Sequence, residues 1–183
     1  MGGFQIWLHE TLASGTAAAA FMRTDWGWPT IESVHFIGLT LLFGTIAVWD
    51  FRLLGIAKRV PIAEFHRLVK FGVLGFAINA SSGSMFLMTE PNQYLYNPAF
   101  QFKMLLLALA GLNVLVFYST VFRHLSTLPP DVDAPRVAKM FGAVSLICWI
   151  GVIICGRLIT FYRPFPCGPG EAIAFVIECI PRQ

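Results

Sequence analysis

Charge is what this sequence has least of. Of its 183 residues, 13% are Asp, Glu, Lys or Arg and 56% are hydrophobic. Mean hydropathy is +0.68. A water-soluble domain carries roughly 25% charged residues, because its surface must be covered by groups that water solvates. The shortage excludes an ordinary soluble globule. The net charge of +3 comes without a basic tract, which excludes a nucleic-acid partner. The four cysteines lack the spacing of a zinc site. Residues 1–22 lack a basic start, so no cleavable leader is expected. No internal repeat stands out, and no soluble catalytic domain is evident, which argues against self-sufficient hydrolysis or phosphoryl transfer.

What the chain does have is four long apolar runs: Thr30–Trp49, Val69–Met88, Ala99–Phe122 and Met140–Tyr162. Each matches the length of about 17–25 residues that a helix needs to cross a bilayer. The charges inside them, Glu32, Lys70, Lys103 and Arg157, all sit near a run's end, where a long side chain reaches the interface. The connections are short, so the expected fold is all-α, an up-and-down integral membrane bundle of four helices and one domain over 1–183.

Lys and Arg assign the two sides. Arg52, Lys58, Arg59, Arg67, Lys70, Arg123, Arg136 and Lys139 gather on one, and Arg23, Lys103, Arg157, Arg163 and Arg182 on the other. Eight against five, with no Lys or Arg at all in the 89–98 loop, places the two basic connections in the cytoplasm. Both termini then lie outside a bacterial inner membrane. Phe4, Trp7, Leu8 and Leu12 fall on one helical face, which predicts an N-terminal amphipathic helix on the outer surface. Trp26 and Trp28 mark headgroup level before the first span. A short outer tail follows Tyr162, and Cys167 and Cys179 there are expected to form a disulfide. Cys148 and Cys155, seven apart on the fourth helix, are expected as packing residues.

Polar residues inside the runs sort into two layers. The outer one holds Glu32 and His35, Lys103 and Arg157, with Asn79 and Ser82 at middle to outer depth. On the second helix Gly72, Gly75, Asn79, Ser82 and Gly83 form a stripe of small residues, closed by Phe86. Such a stripe lets another helix approach closely, and it would equally admit a flat macrocycle. Gly38, about one turn after His35, would clear space beside the imidazole. Haem iron takes a neutral imidazole nitrogen, and its propionates favour cations near the aqueous edge. His35 is therefore the candidate axial ligand, and Lys103 and Arg157 the candidate propionate partners. The inner layer holds Asp50, Arg52, His66, Lys70, Arg123 and His124. His66 and His124 could ligate a second haem, bind a metal or lie among headgroups. Asp50 and Arg52 are expected in ion pairs.

The runs "ESVHFIGLTLLFGTIAVWDFRLLG", "NPAFQFKMLLLALAGLN" and "GRLITFY" resemble a family of uncharacterised bacterial four-helix membrane proteins over about residues 28–162. More distantly, a histidine in the first helix and a lysine opening the third resemble the haem-containing membrane protoporphyrinogen oxidases and the copper-resistance D-type proteins. On His35 and Lys103 that resemblance implies haem b. Together these features lead to the expectation of a b-type cytochrome-like membrane protein, or a subunit of a redox assembly with other membrane subunits or copies of itself. It would pass electrons, with quinone as a candidate partner. Two rivals stand beside it. One is a cofactor-free assembly subunit in which His35, Asn79 and Ser82 join helices. The other is a small metal or solute transporter, against which no charged residue lies in mid-membrane.

Overall fold

The computed structural model describes residues 16–56, 58–59, 61–125, 132–162, 165–166 and 179–180. The expected surface helix at residues 4–12 and the Cys167–Cys179 bond lie outside the described residues. Four helices are long and apolar enough to cross a membrane: α2 (Gly27–Leu54), α4 (Val69–Thr89), α6 (Pro98–Thr120) and α8 (Arg136–Leu158). Shorter pieces join or flank them: α1 (Ala17–Met22), α3 (Ile62–His66), α5 (Pro91–Leu95) and α7 (Phe122–Leu125). Two-residue strands β1 (Phe165–Pro166) and β2 (Cys179–Ile180) pair in parallel. The fold class is the expected all-α, four-helix membrane one.

Helix ends follow capping chemistry rather than hydropathy. The α2 helix runs five residues past the expected Trp49, because Gly55 closes it with a φ of +103°. Ile56 N–H bonds the Phe51 carbonyl at 2.9 Å and Gly55 N–H bonds that of Arg52 at 3.2 Å, the paired bonds of a Schellman motif. Asp50 and Arg52 therefore belong to the helix and are buried in it. The α8 helix starts at Arg136, right after Pro135, and stops at Leu158, so it lies four residues earlier than the apolar run at both ends.

Chain contacts divide the protein into two compact units. The first comprises Met1–Phe36, Ile78–Met104 and Ile154–Gln183. Its buried residues include Ala19, Met22, Phe86, Ala99 and Ile159. Thr16 caps α1, its Oγ1 accepting from Ala19 N–H at 3.2 Å. The α1–α2 turn leaves no room for a side chain at Gly27, whose Cβ would fall on the backbone of Phe21 and Met22.

The second unit comprises Ile37–Ala77 and Leu105–Ile153. It holds two apolar clusters. Leu53, Phe117, Leu125, Ala134 and Ala138 form one, flanked by Trp49, Tyr118, Val121, Phe122 and Phe141. Leu42, Ala110, Cys148, Trp149 and Val152 form the other. Here Gly75 permits the closest helix contact: a Cβ on it would stand 2.6 Å from the Leu42 amide nitrogen and 2.8 Å from the Gly38 carbonyl oxygen. Across the same unit Asn113 on α6 donates to the Phe141 carbonyl of α8 at 3.1 Å.

Candidate functional site

His35 projects from α2 against α4 in the first unit. Its Nδ1 lies 2.8 Å from Ser82 Oγ. The Ser82 hydroxyl has one proton to give, and the backbone carbonyls of Ile78, at 2.7 Å, and Asn79, at 3.2 Å, both lie within its reach. With that proton given to a carbonyl, Ser82 accepts from His35: Nδ1 carries the hydrogen, and Nε2 has no partner among the described residues. One turn earlier on α4, Asn79 Nδ2 donates to the His35 backbone carbonyl at 3.0 Å. Gly83 supplies the space for the ring, since a Cβ there would stand 3.5 Å from His35 Cε1. Phe86 meets the imidazole edge to face at 5.7 Å between centroids and in turn packs on Trp28 at 5.0 Å. The imidazole is held on three sides.

Lys103 reaches the same neighbourhood from α6. Its placement depends on Asn97, which is fully buried. Asn97 Oδ1 caps α6, accepting from Ala99 N–H at 3.0 Å, while Pro98 occupies the first helical position, where no N–H is needed. Its Nδ2 donates to the carbonyls of Ile159 at 3.0 Å and Tyr162 at 2.8 Å. One side chain thus ties the start of α6 to the residues just past α8. Lys103 then runs beside α8, with Nζ 3.7 Å from where a Cβ on Gly156 would stand. It is half-buried, within electrostatic reach of His35 and of the Cys155 thiol. Among the described residues no carboxylate lies within ion-pair distance of it. Asn97 escaped sequence reasoning; an Asn-Pro step at the mouth of an apolar run is the signal that marks it.

The other expected members of the outer layer are less enclosed. Arg157 is exposed, and its guanidinium lies 5.2 Å from the Phe161 ring centroid. Glu32 is exposed as well. In the second unit the carbonyl of Gly38 lies against Gly75 of α4, where the two backbones nearly touch. The small-residue stripe is likewise closed by α2. Gly72 faces Thr45 and Gly75 faces Leu42 in the second unit, while Gly83 faces His35 in the first. It is a packing seam, and any planar ligand of His35 must approach from the Nε2 side instead.

In the second unit His66 is exposed, with Nδ1 3.2 Å from the Tyr118 hydroxyl and its ring near Phe122 and Trp49. His124 lies in α7, and its side chain falls outside the described residues. Asp50 makes no ion pair among the described residues, contrary to expectation; Ser145 is its hydrogen-bond partner. Cys148 is buried in an apolar cluster, as a packing residue should be. No three His, Cys, Asp or Glu side chains gather into a metal cage among the described residues.

Four apolar helices, with a histidine and a lysine set inside them, define an integral membrane protein of the four-helix class. Residues 25–162 match the model of DUF6644, a family of unknown function, and the chain belongs to that family. No curated protein and no solved structure matches it.

Proposed function

We propose that this protein is a b-type cytochrome-like membrane protein, or such a subunit of a redox assembly, with haem held at His35. The observation that carries the proposal is the hydrogen bond from His35 Nδ1 to Ser82. It leaves Nε2 as the free donor atom and fixes the ring, the arrangement a metal-ligating histidine uses. Lys103 is the complementary piece: a half-buried cation with no carboxylate in ion-pair distance among the described residues suits a propionate. Haem b bound there would supply one-electron chemistry. The chain's own part is to present Nε2, to hold a positive charge within electrostatic reach of the ring and to pack the ring on Phe86, itself backed by Trp28. The bias of Lys and Arg supports the outer side of a bacterial inner membrane for this end of the helices. Electrons would pass between quinol in the lipid and a partner outside, with other membrane subunits or further copies completing the assembly.

One observation favours the rival, a cofactor-free assembly subunit. Asn79 and Ser82 both bond His35, and such pairs also join helices without any cofactor. A visible spectrum of detergent-purified protein expressed with ample haem separates the two. A Soret band that shifts on dithionite, lost in His35→Ala and kept in His66→Ala, supports haem at His35. A native protein with no Soret band sinks it.

A further inference from the structure

Asp50 lies in the second unit, and 3% of it is exposed. Ser145 on α8 donates to its carboxyl, yet Oδ2 is buried without a hydrogen-bond partner among the described residues. Gly142, one turn before Ser145, brings α8 against α2 here; a Cβ on it would stand 3.2 Å from the Asp50 carbonyl oxygen. The surrounding charged and titratable groups are engaged with other partners. Arg52 Nη2 donates to the Lys58 carbonyl at 3.2 Å. Lys58 and Lys139 both hold Asp133, at 2.9 and 3.4 Å. His66 on α3 bonds Tyr118.

A bare carboxylate in so buried a place is strongly disfavoured unless a cation accompanies it. No Lys, Arg or His nitrogen comes within ion-pair distance of it among the described residues. Hard metal cations take about six or more oxygen ligands. Asp50 and Ser145 offer far fewer, and the smallest cation needs only one. We propose that Asp50 is a buried proton-exchange site that trades protons with the aqueous phase at its own end of the helices, with Oδ2 as the atom that takes the proton. Hydronium from that phase gives up a proton: its O–H bond breaks, an Oδ2–H bond forms, water departs and the carboxylate becomes a neutral acid. The reverse step returns the proton to water. This role stands apart from haem and from His35.

Infrared spectroscopy of the purified protein tests it. The native protein should show a carbonyl band of a protonated carboxyl that is missing in Asp50→Asn and moves to lower frequency in heavy water. Ser145→Ala, which keeps the carboxyl and removes its donor, should raise the frequency of that band. Were Asp50→Asn to misfold, the Ser145→Ala shift and the heavy-water shift would still decide. Absence of the band in native protein overturns the proposal. So does a band unmoved by heavy water, or one abolished by sodium chloride at constant pH, which would assign the site to a metal cation.

Discussion

Asn97 donates its side-chain amide to the carbonyl of Ile159 across 3.0 Å, joining residues 62 apart in sequence. The same side chain caps α6 through its oxygen. Removing it should cost an N-cap, about 1 kcal/mol. It should also leave two carbonyls short of a donor, about 1 kcal/mol or more each. Asn97→Ala should therefore lose about 3 kcal/mol or more in a detergent unfolding titration. Asn97→Ser keeps a capping oxygen and loses the two donated bonds, so it should fall between. A serine variant as stable as the native protein would show that the link to Ile159 and Tyr162 contributes nothing.

Three glycines make a graded test of the α2–α4 seam. Gly75→Ala drives a methyl to 2.6 Å from a backbone nitrogen, and backbone cannot swing aside. A loss of about 2–3 kcal/mol, or failure to fold, is expected, as for an overpacked core. Gly83→Ala places its methyl 3.5 Å from His35 Cε1, ordinary contact, and should fold normally. Gly44 meets nothing within 4 Å, so Gly44→Ala should be neutral or stabilise by up to about 1 kcal/mol. Thermal unfolding of the three variants gives the order; a Gly75→Ala as stable as Gly44→Ala would rule out the close approach.

The four spans were legible because about 20 consecutive apolar residues have no other common use. Their packing was not. In lipid the outward face of a helix is as apolar as the inward one, so hydropathy does not tell which face meets a neighbour. That is why Gly72, Gly75 and Gly83 read equally well as a ligand wall and as a seam. Helix ends slipped for a different reason. Asp50 and Arg52 look like the polar end of a span, but Gly55 and its hydrogen bonds carry the helix past them. His35, Asn79, Ser82 and Lys103 were legible because ionisable and amide groups are rare in such helices. Arg157 shared their depth along its helix, but its exposure depends on helix rotation, which hydropathy does not give.

The loop clasp should respond to pH. The Lys58 ammonium bonded to Asp133, with Lys139 beside it, holds that carboxyl below the usual carboxylate range. A carboxylate with a depressed folded value stabilises fully above its unfolded value, about 3.9, and loses that contribution as pH falls through the folded value. Asp133→Asn should thus be slightly less stable than native protein by a constant margin above about pH 5. The margin should close as the solution is acidified below about pH 4. The groups are exposed, so the margin should also shrink in high salt. Unfolding midpoints across pH and salt check both trends; a margin that widens in acid contradicts the ion-pair assignment.

Ser82→Ala separates a ligand-orienting serine from a helix-joining one. If His35 holds haem, losing the acceptor for Nδ1–H frees the ring and lowers its basicity, and the expected penalty is about 10–100-fold in haem retention. Lys103→Met should weaken retention further by removing the cation and leave the His35 ligation spectrum unchanged. If the pair only joins helices, Ser82→Ala should cost about 0.6 kcal/mol, the average for such bonds in a membrane protein. Haem titration of the stripped protein reads the first effect and unfolding reads the second. The two need not coincide: α4 keeps its Asn79 bond to the His35 carbonyl in the variant, so the helices stay joined while the imidazole turns. A large drop in haem affinity with a small drop in stability assigns Ser82 to the ligand; a small drop in stability alone, without haem in the native protein, assigns it to the seam.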